Sequence, residues 1–161
     1  MARTVFNDKP IVGKLQAADK LLDDMTPVYR DMGEYLIEVH RERFRLGVDP
    51  DGNPWAPKSP VTIERYRRQG DGDRLNPLIG PSRRLSTEIS MFANQAGVEV
   101  GSSLEYSGVM QEGAAKGEFG ADSRGRPIPW GNIPARVWLG LSEANNLGII
   151  DIVDEHLEQL V

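Results

Sequence analysis

Apolar residues recur at spacings of three and four from Pro10 to Met25, at Ile11, Leu15, Ala18, Leu21 and Leu22. That period predicts a helix with one apolar face. Thr26-Pro27 then reads as an N-cap followed by proline at the first helical position. The next helix should run to about Leu46, with Val28, Met32, Tyr35, Leu36, Val39 and Phe44 on its apolar face. The two stretches are either one long helix kinked at Pro27 or two helices. Gly47 ends the second. Ser59-Pro60 repeats the cap-plus-proline signal and predicts a short helix from Pro60 to about Arg68. The period changes after Arg84, where a segment to Asn94 begins as helix and ends as strand. Ile89 and Met91 alternate with Glu88 and Ser90, and Val98 and Val100 alternate with Glu99. Alternation of this kind predicts a β-hairpin, turning across Asn94-Gln95-Ala96. Tyr106 to Glu112 reads as a helical turn or short helix. Ser142 opens a last, acidic helix with Leu147, Ile149, Ile150, Val153, Leu157 and Leu160 in its apolar stripe, and Gly148 marks a candidate kink. Thr4, Val5 and Phe6 favour a short strand within residues 3–7.

Between these elements lie segments without a period. Asp49-Pro50-Asp51-Gly52-Asn53-Pro54-Trp55 is dense in turn formers, and Trp55 is a candidate anchor where the chain re-enters the core. Residues 69–81 and 113–132 are rich in glycine and polar residues. Unstructured stretches as long as the second are uncommon in compact domains and are usually functional or disordered. The whole pattern predicts one α+β domain over residues 1–161. It has a long N-terminal helix, a small antiparallel sheet with a β-hairpin, a C-terminal helix, and projecting loops at about 69–81 and 113–132. The helices are expected to cover one sheet face and leave the other for contacts between subunits.

Composition narrows the function. The chain has no cysteine, so it has no disulfide framework, thiolate metal site or cysteine nucleophile. A net charge of −5 argues against duplex DNA as a tightly gripped ligand. No apolar run is long enough to span a membrane, and Met1-Ala2-Arg3-Thr4-Val5-Phe6 lacks the apolar stretch of a secretory signal. Synthesis in the cytoplasm is expected.

Candidate chemistry is thin. Asp49-Pro50-Asp51-Gly52-Asn53 resembles the start of a calcium loop, but the glycine falls too early and Pro60 stands where the bidentate glutamate belongs. A tight turn is the better reading. His40 and His156 are the only imidazoles and fit no metalloprotease spacing or nucleophile elbow; both read as solvated or partner-facing. Gly113-Ala114-Ala115-Lys116-Gly117 lacks the Gly-Lys-Ser/Thr of a phosphate loop and reads as a flexible projection. Arg41, Arg43 and Arg45, Arg65, Arg67 and Arg68, and Arg83 and Arg84 form basic clusters, most with acids nearby. They suit a solvated face or a charged subunit contact, and would suit a nucleic-acid face in a small regulatory module. Trp55 and Trp138 belong to the core. Trp130, inside the long loop, either docks onto another molecule or folds back on its own domain. With Phe119, Arg124, Arg126 and Ile128 it makes the candidate interface.

One ordered set of landmarks goes further. It runs from Arg43-Phe44-Arg45-Leu46-Gly47-Val48-Asp49, through Gly52, Trp55 and Pro60, to Ser82-Arg83-Arg84-Leu85 and Val98-Glu99-Val100-Gly101-Ser102. It continues through Tyr106 to Gly113 and closes on Ile133-Pro134-Ala135-Arg136-Val137-Trp138-Leu139-Gly140-Leu141-Ser142. In this order the chain resembles the phage virion morphogenesis, or tail completion, proteins of Mu-like phages. Family members often carry phenylalanine where Trp138 stands, a His-Gln-Phe-Gly-like run at 110–113, and a shorter link over 116–131. The resemblance implies a structural protein of the head–tail neck or tail end, with no catalytic residue, cofactor or metal. It implies a ring of copies, a hexamer ahead of a dodecamer, that contacts other neck and tail-tube proteins and surrounds DNA without recognising its sequence. The expected location is the virion, with no membrane partner.

Overall fold

A computed structural model describes residues 9–72 and 74–159. The strand expected within residues 3–7, and Leu160, lie outside them. The chain folds as α1 (Lys9–Asp23), α2 (Thr26–Leu46), α3 (Pro60–Arg68), α4 (Arg84–Thr87), β1 (Ser90–Asn94), β2 (Gly97–Gly101), α5 (Ser107–Glu112) and α6 (Glu143–Glu158). This is the α+β class that the periodicity predicts. The break at Pro27 yields two helices. Thr26 is not the cap of α2, however. Met25 occupies that position without a side-chain bond, and the Thr26 N–H donates to Asp24 Oδ1 at 3.0 Å. An aspartate two residues upstream therefore takes the orphan amide. Gly47 closes α2 at φ 76°, a left-handed conformation that glycine adopts without steric penalty.

The hairpin is a two-stranded antiparallel sheet in which Met91 pairs with Val100 and Phe92 with Glu99. Its first strand starts two residues later than the alternation suggests, because Glu88 closes α4 through its N–H to the Arg84 carbonyl. The hairpin lies on α2 at Gly33. A methyl group added there would overlap Met91 Sδ and sit 2.9 Å from Val98 Cγ2. The glycine is what lets the sheet approach the helix. The opposite face of β1 presents Phe92 to solvent. Gly148 has a parallel role in α6. The helix runs through it unbroken, and its missing side chain clears room for the Tyr35 ring of α2. His156 of α6 meets Asp31 of α2 at 2.7 Å, fixing the second crossing point.

Phe44, Trp55, Leu85, Ile89, Leu104 and Trp138 form the core. The Phe44 ring meets Trp55 at 5.4 Å and Trp138 at 5.6 Å between centroids, within the range of favourable aromatic pairs. His40 departs from expectation: it is buried, not solvated. Its Nδ1–H donates to the Leu36 carbonyl, its ring meets Trp138 in a T-shaped arrangement, and its Nε2 has no partner among the described residues.

A proton on Nε2 would place a charge where nothing receives it. Burial accordingly lowers the pKa of His40; the Leu36 carbonyl opposes this, and nearby Arg43 adds to it. The unfolded chain takes up the proton near pH 6.5, while the folded chain resists it. This contribution is complete above about pH 6.5 and is lost as pH falls below that value. Urea midpoints at pH 7.5 and 5.5 should therefore lie further apart for the wild type than for His40→Gln. The carboxylates with lowered pKa, half-buried Asp49 and exposed Glu88 among them, act only near pH 4 and below. Equal spacing of midpoints in the two proteins would refute the role of His40.

Candidate assembly surface

Among the described residues the segment 133–142 carries no ladder beyond a single bridge, Ile133 to Ala114. Side chains replace the missing strand partners. Arg136 is buried, and its guanidinium donates to the carbonyls of Ala56 at 2.7 Å and Pro57 at 2.9 Å. The Arg136 N–H donates to the Met110 carbonyl at 2.9 Å. Gln111 Oε1 accepts from the N–H groups of Trp138 and Leu139, and its Nε2 donates back to the Leu139 carbonyl. Trp55 Nε1 donates to the Val137 carbonyl, and Trp138 Nε1 to the Ser107 carbonyl. Ser142 then caps α6, with Asn145 completing a capping box. Pro134 and Ala135 are exposed ahead of this clasp. Gly140 stands 3.0 Å from the Pro50 ring, measured from where its Cβ would lie.

Asp49 does not present a free metal ligand. Its Oδ1 accepts from the N–H groups of Asp51 and Asn53, and Asn53 Nδ2 donates to both of its oxygens. Bonding to Asn53 holds the carboxyl below its usual pKa. Gly52 donates to the Asp49 carbonyl at the apex. The result is a tight turn that returns the chain to Trp55.

Residues 113–132 form a finger. Ala114 and Ile133 exchange two backbone hydrogen bonds at its base. Further out, Gly117 donates to the Pro129 carbonyl, Phe119 to Ile128, Ile128 to Gly120, and Asp122 to Arg126. The Ile128–Pro129 peptide is cis. Gly113 sits at the hinge with φ 81°, and a Cβ there would lie 2.7 Å from both Ala135 N and the Ile133 carbonyl oxygen. Only glycine lets the two limbs of the finger come this close. Asp122 ties the tip, accepting from the N–H groups of Arg124 and Arg126 and pairing with the Arg126 guanidinium at 2.7 Å. Phe119, Ile128 and Trp130 remain exposed, Trp130 to 71%.

Trp130 stands at the edge of a groove of about 770 Å³ between the finger base and α3. Val61, Tyr66, Leu78, Tyr106 and Met110 contribute its apolar wall. Lys58, a residue the pattern did not single out, holds one side by donating to the Arg74 and Ile79 carbonyls, with its ammonium 4.7 Å from the Tyr66 ring centroid. That clamp fixes residues 74–79 against α3.

The basic clusters separate in space. Arg41 pairs with Glu38 and Arg45 with Glu42 on the outside of α2, while Arg43 turns inward. The helix thus carries no row of uncompensated cations. Among the described residues no group of three histidine or carboxylate side chains could hold a metal ion, and no helix is long and apolar enough to cross a membrane.

The model of the phage virion morphogenesis family matches residues 6–158. The chain belongs to this family. The match takes in the clasped segment, the finger and the groove, so all three are features of a virion morphogenesis protein. No curated protein and no solved structure gives a significant match.

Proposed function

We propose that this virion morphogenesis protein is a structural, non-catalytic subunit of the head–tail neck or tail end. In this reading its copies form a ring, a hexamer ahead of a dodecamer, around the DNA channel. The ring completes the tail or joins it to the head through other neck and tail-tube proteins. The observation that carries the reading is the finger. It is held in shape by its own backbone bonds, contributes only Ala114 to the buried interior, and presents Phe119, Ile128 and Trp130 to solvent. Exposed aromatics on an ordered projection are costly in a free monomer and are the residues that dominate interface energetics. Arg124 and Arg126 lie at the finger's tip and would face a partner's polar rim. An acidic subunit also suits a channel through which DNA must slide, since a basic wall would retain phosphates.

Removing residues 115–132 tests this. Ala114 and Ile133 are already bonded neighbours, so a short Gly-Ser link closes the gap without moving the core. The shortened protein should melt within about 4 °C of the wild type, the equivalent of roughly 1 kcal/mol for a chain of this size. Complementation with it should yield particles with incomplete or unjoined tails. Infectious particles in normal yield would sink the reading of the finger.

A further inference from the structure

The groove beneath Trp130 is electrostatically unlike the chain that contains it. Lys58, Arg65, Arg84 and Arg136 line it, and among the described residues no aspartate or glutamate does, although the chain as a whole carries −5. Lys58 and Arg136 are bonded to carbonyl oxygens, which occupy their N–H groups without neutralising their charge, and neither makes an ion pair among the described residues. Arg65 makes no ion pair among the described residues and leans on the Tyr66 ring. Arg84 alone is paired, with Glu88 outside the lining. The crowding registers on Lys58, whose proton affinity is lowered first by burial and then by repulsion from Arg74 and Arg136. An apolar floor under uncompensated cations calls for an occupant with apolar anchors flanked by carboxylates.

The chain itself presents such a surface. Helix α6 turns Gly148, Ile149, Val153 and His156 toward α2, yet Leu147, Ile150 and Leu157 remain exposed on its outer side. Its carboxylates are Glu143, Asp151, Asp154, Glu155 and Glu158, against no lysine or arginine. At 100° per residue, Leu147, Ile150, Asp154 and Leu157 fall along one stripe, with Asp151 and Glu158 beside it. The groove and this stripe share no residue, so occupying one leaves the other free. Two different complementary patches on one chain define a heterologous, head-to-tail contact, which closes into a ring when the rotation allows.

We infer that the acidic outer face of α6 in one copy docks into the basic, apolar groove beneath Trp130 of the next. This rests on the ring reading and names the surfaces that join neighbouring copies. The leucine and isoleucine side chains meet Val61, Tyr106 and Trp130, while Asp151 and Asp154 face Arg65 and Lys58.

Charge exchange between the two patches tests the pairing on the full chain. Arg65→Glu and the pair Asp151→Lys with Asp154→Lys are exposed changes on opposite sides of the contact. Each variant alone should self-associate roughly tenfold more weakly in sedimentation velocity, as expected when charges across a contact are made alike. An equimolar mixture of the two should recover assembly, because every junction then joins opposite charges again. Unchanged association in both variants would overturn this pairing while leaving a ring intact. A particle-level test uses the absence of native cysteine. Val61→Cys with Leu147→Cys in one chain should give an oxidative ladder of multimers, whereas either alone stops at dimers. Rings imaged without a ladder would refute the pairing only; particles with no ring of this protein would refute both. Duplex DNA binding by the wild type that Arg65→Glu abolishes would assign the groove to nucleic acid and also overturn the proposal.

Discussion

Trp138→Ala should be the most damaging single substitution in this chain. The indole is 1% exposed, stacks obliquely on Phe44, meets His40 in a T-shaped arrangement, and donates to the Ser107 carbonyl. Truncating a buried tryptophan to alanine costs about 3–5 kcal/mol, the transfer of the ring plus the cavity it leaves. Against a total of about 5–15 kcal/mol for a typical domain, that is roughly a fifth or more of the stability. For a chain of this length the thermal midpoint should drop by about 6–20 °C. The effect should spread, because Trp138 is also the fixed point of a segment that has almost no strand pairing. Trp138→Phe is the informative companion. It keeps a ring against Phe44 and loses the Nε1 donor, so it should cost only about 1–2 kcal/mol through lost volume and the lost bond to the Ser107 carbonyl. Scanning calorimetry reads both. A Trp138→Ala protein within about 1 kcal/mol of the wild type would mean that the core does not depend on this ring.

What the sequence made legible was whatever depends on near neighbours. Ser59 and Ser142 sit immediately before their helices, and a hydroxyl at that place meets an amide three residues on. The hairpin followed from alternation, because strand faces repeat every second residue. Charged and polar residues were harder, because their roles depend on distant partners. Arg41, Arg43 and Arg45 look alike along the chain, yet two make local pairs with Glu38 and Glu42, and the third reaches residues almost a hundred positions away. His40 read as solvated because it lies between Glu38 and Glu42 in a charged stretch; the 3.6-residue period in fact puts it on the face of Leu36 and Phe44. Gly33 and Gly148 were poor helix formers by propensity, and only the packed structure shows them as the points where the hairpin and Tyr35 come closest. The finger's glycines gave no period at all. Its order comes from cross-limb backbone bonds that no local pattern encodes. The groove is legible in neither way, since α3, residues 78–85 and the finger base meet only in three dimensions.

Arg43→Leu should rank second, through a different mechanism. The guanidinium is buried and donates to the Gly140 carbonyl at 2.7 Å, the Trp138 carbonyl at 3.3 Å and Asn145 Oδ1 at 2.5 Å. Desolvation lowers its pKa, and the fields of Asp49 and Asp51 oppose that, so the cation is held by acceptors and by the nearby turn. Asn145 Oδ1 also accepts the Ser142 N–H, which makes Arg43 a prop for the capping box of α6. Leucine would fill part of the space, orphan the Trp138 and Gly140 carbonyls and leave Asn145 Oδ1 with the Ser142 N–H alone; each orphaned acceptor costs about 1–3 kcal/mol when water cannot reach it. Partial solvation of the Gly140 side reduces the sum, and a loss of about 2–4 kcal/mol is expected. The distribution of that loss distinguishes this role from simple core packing. Amides in the first turn of α6 should exchange faster in Arg43→Leu, while those of the hairpin keep their relative protection. Arg43→Lys should recover only part of the stability, because one ammonium cannot span the separate directions a planar guanidinium covers. A uniform rise in exchange across the domain would refute the link between α2 and the α6 cap and leave Arg43 as an ordinary core contact.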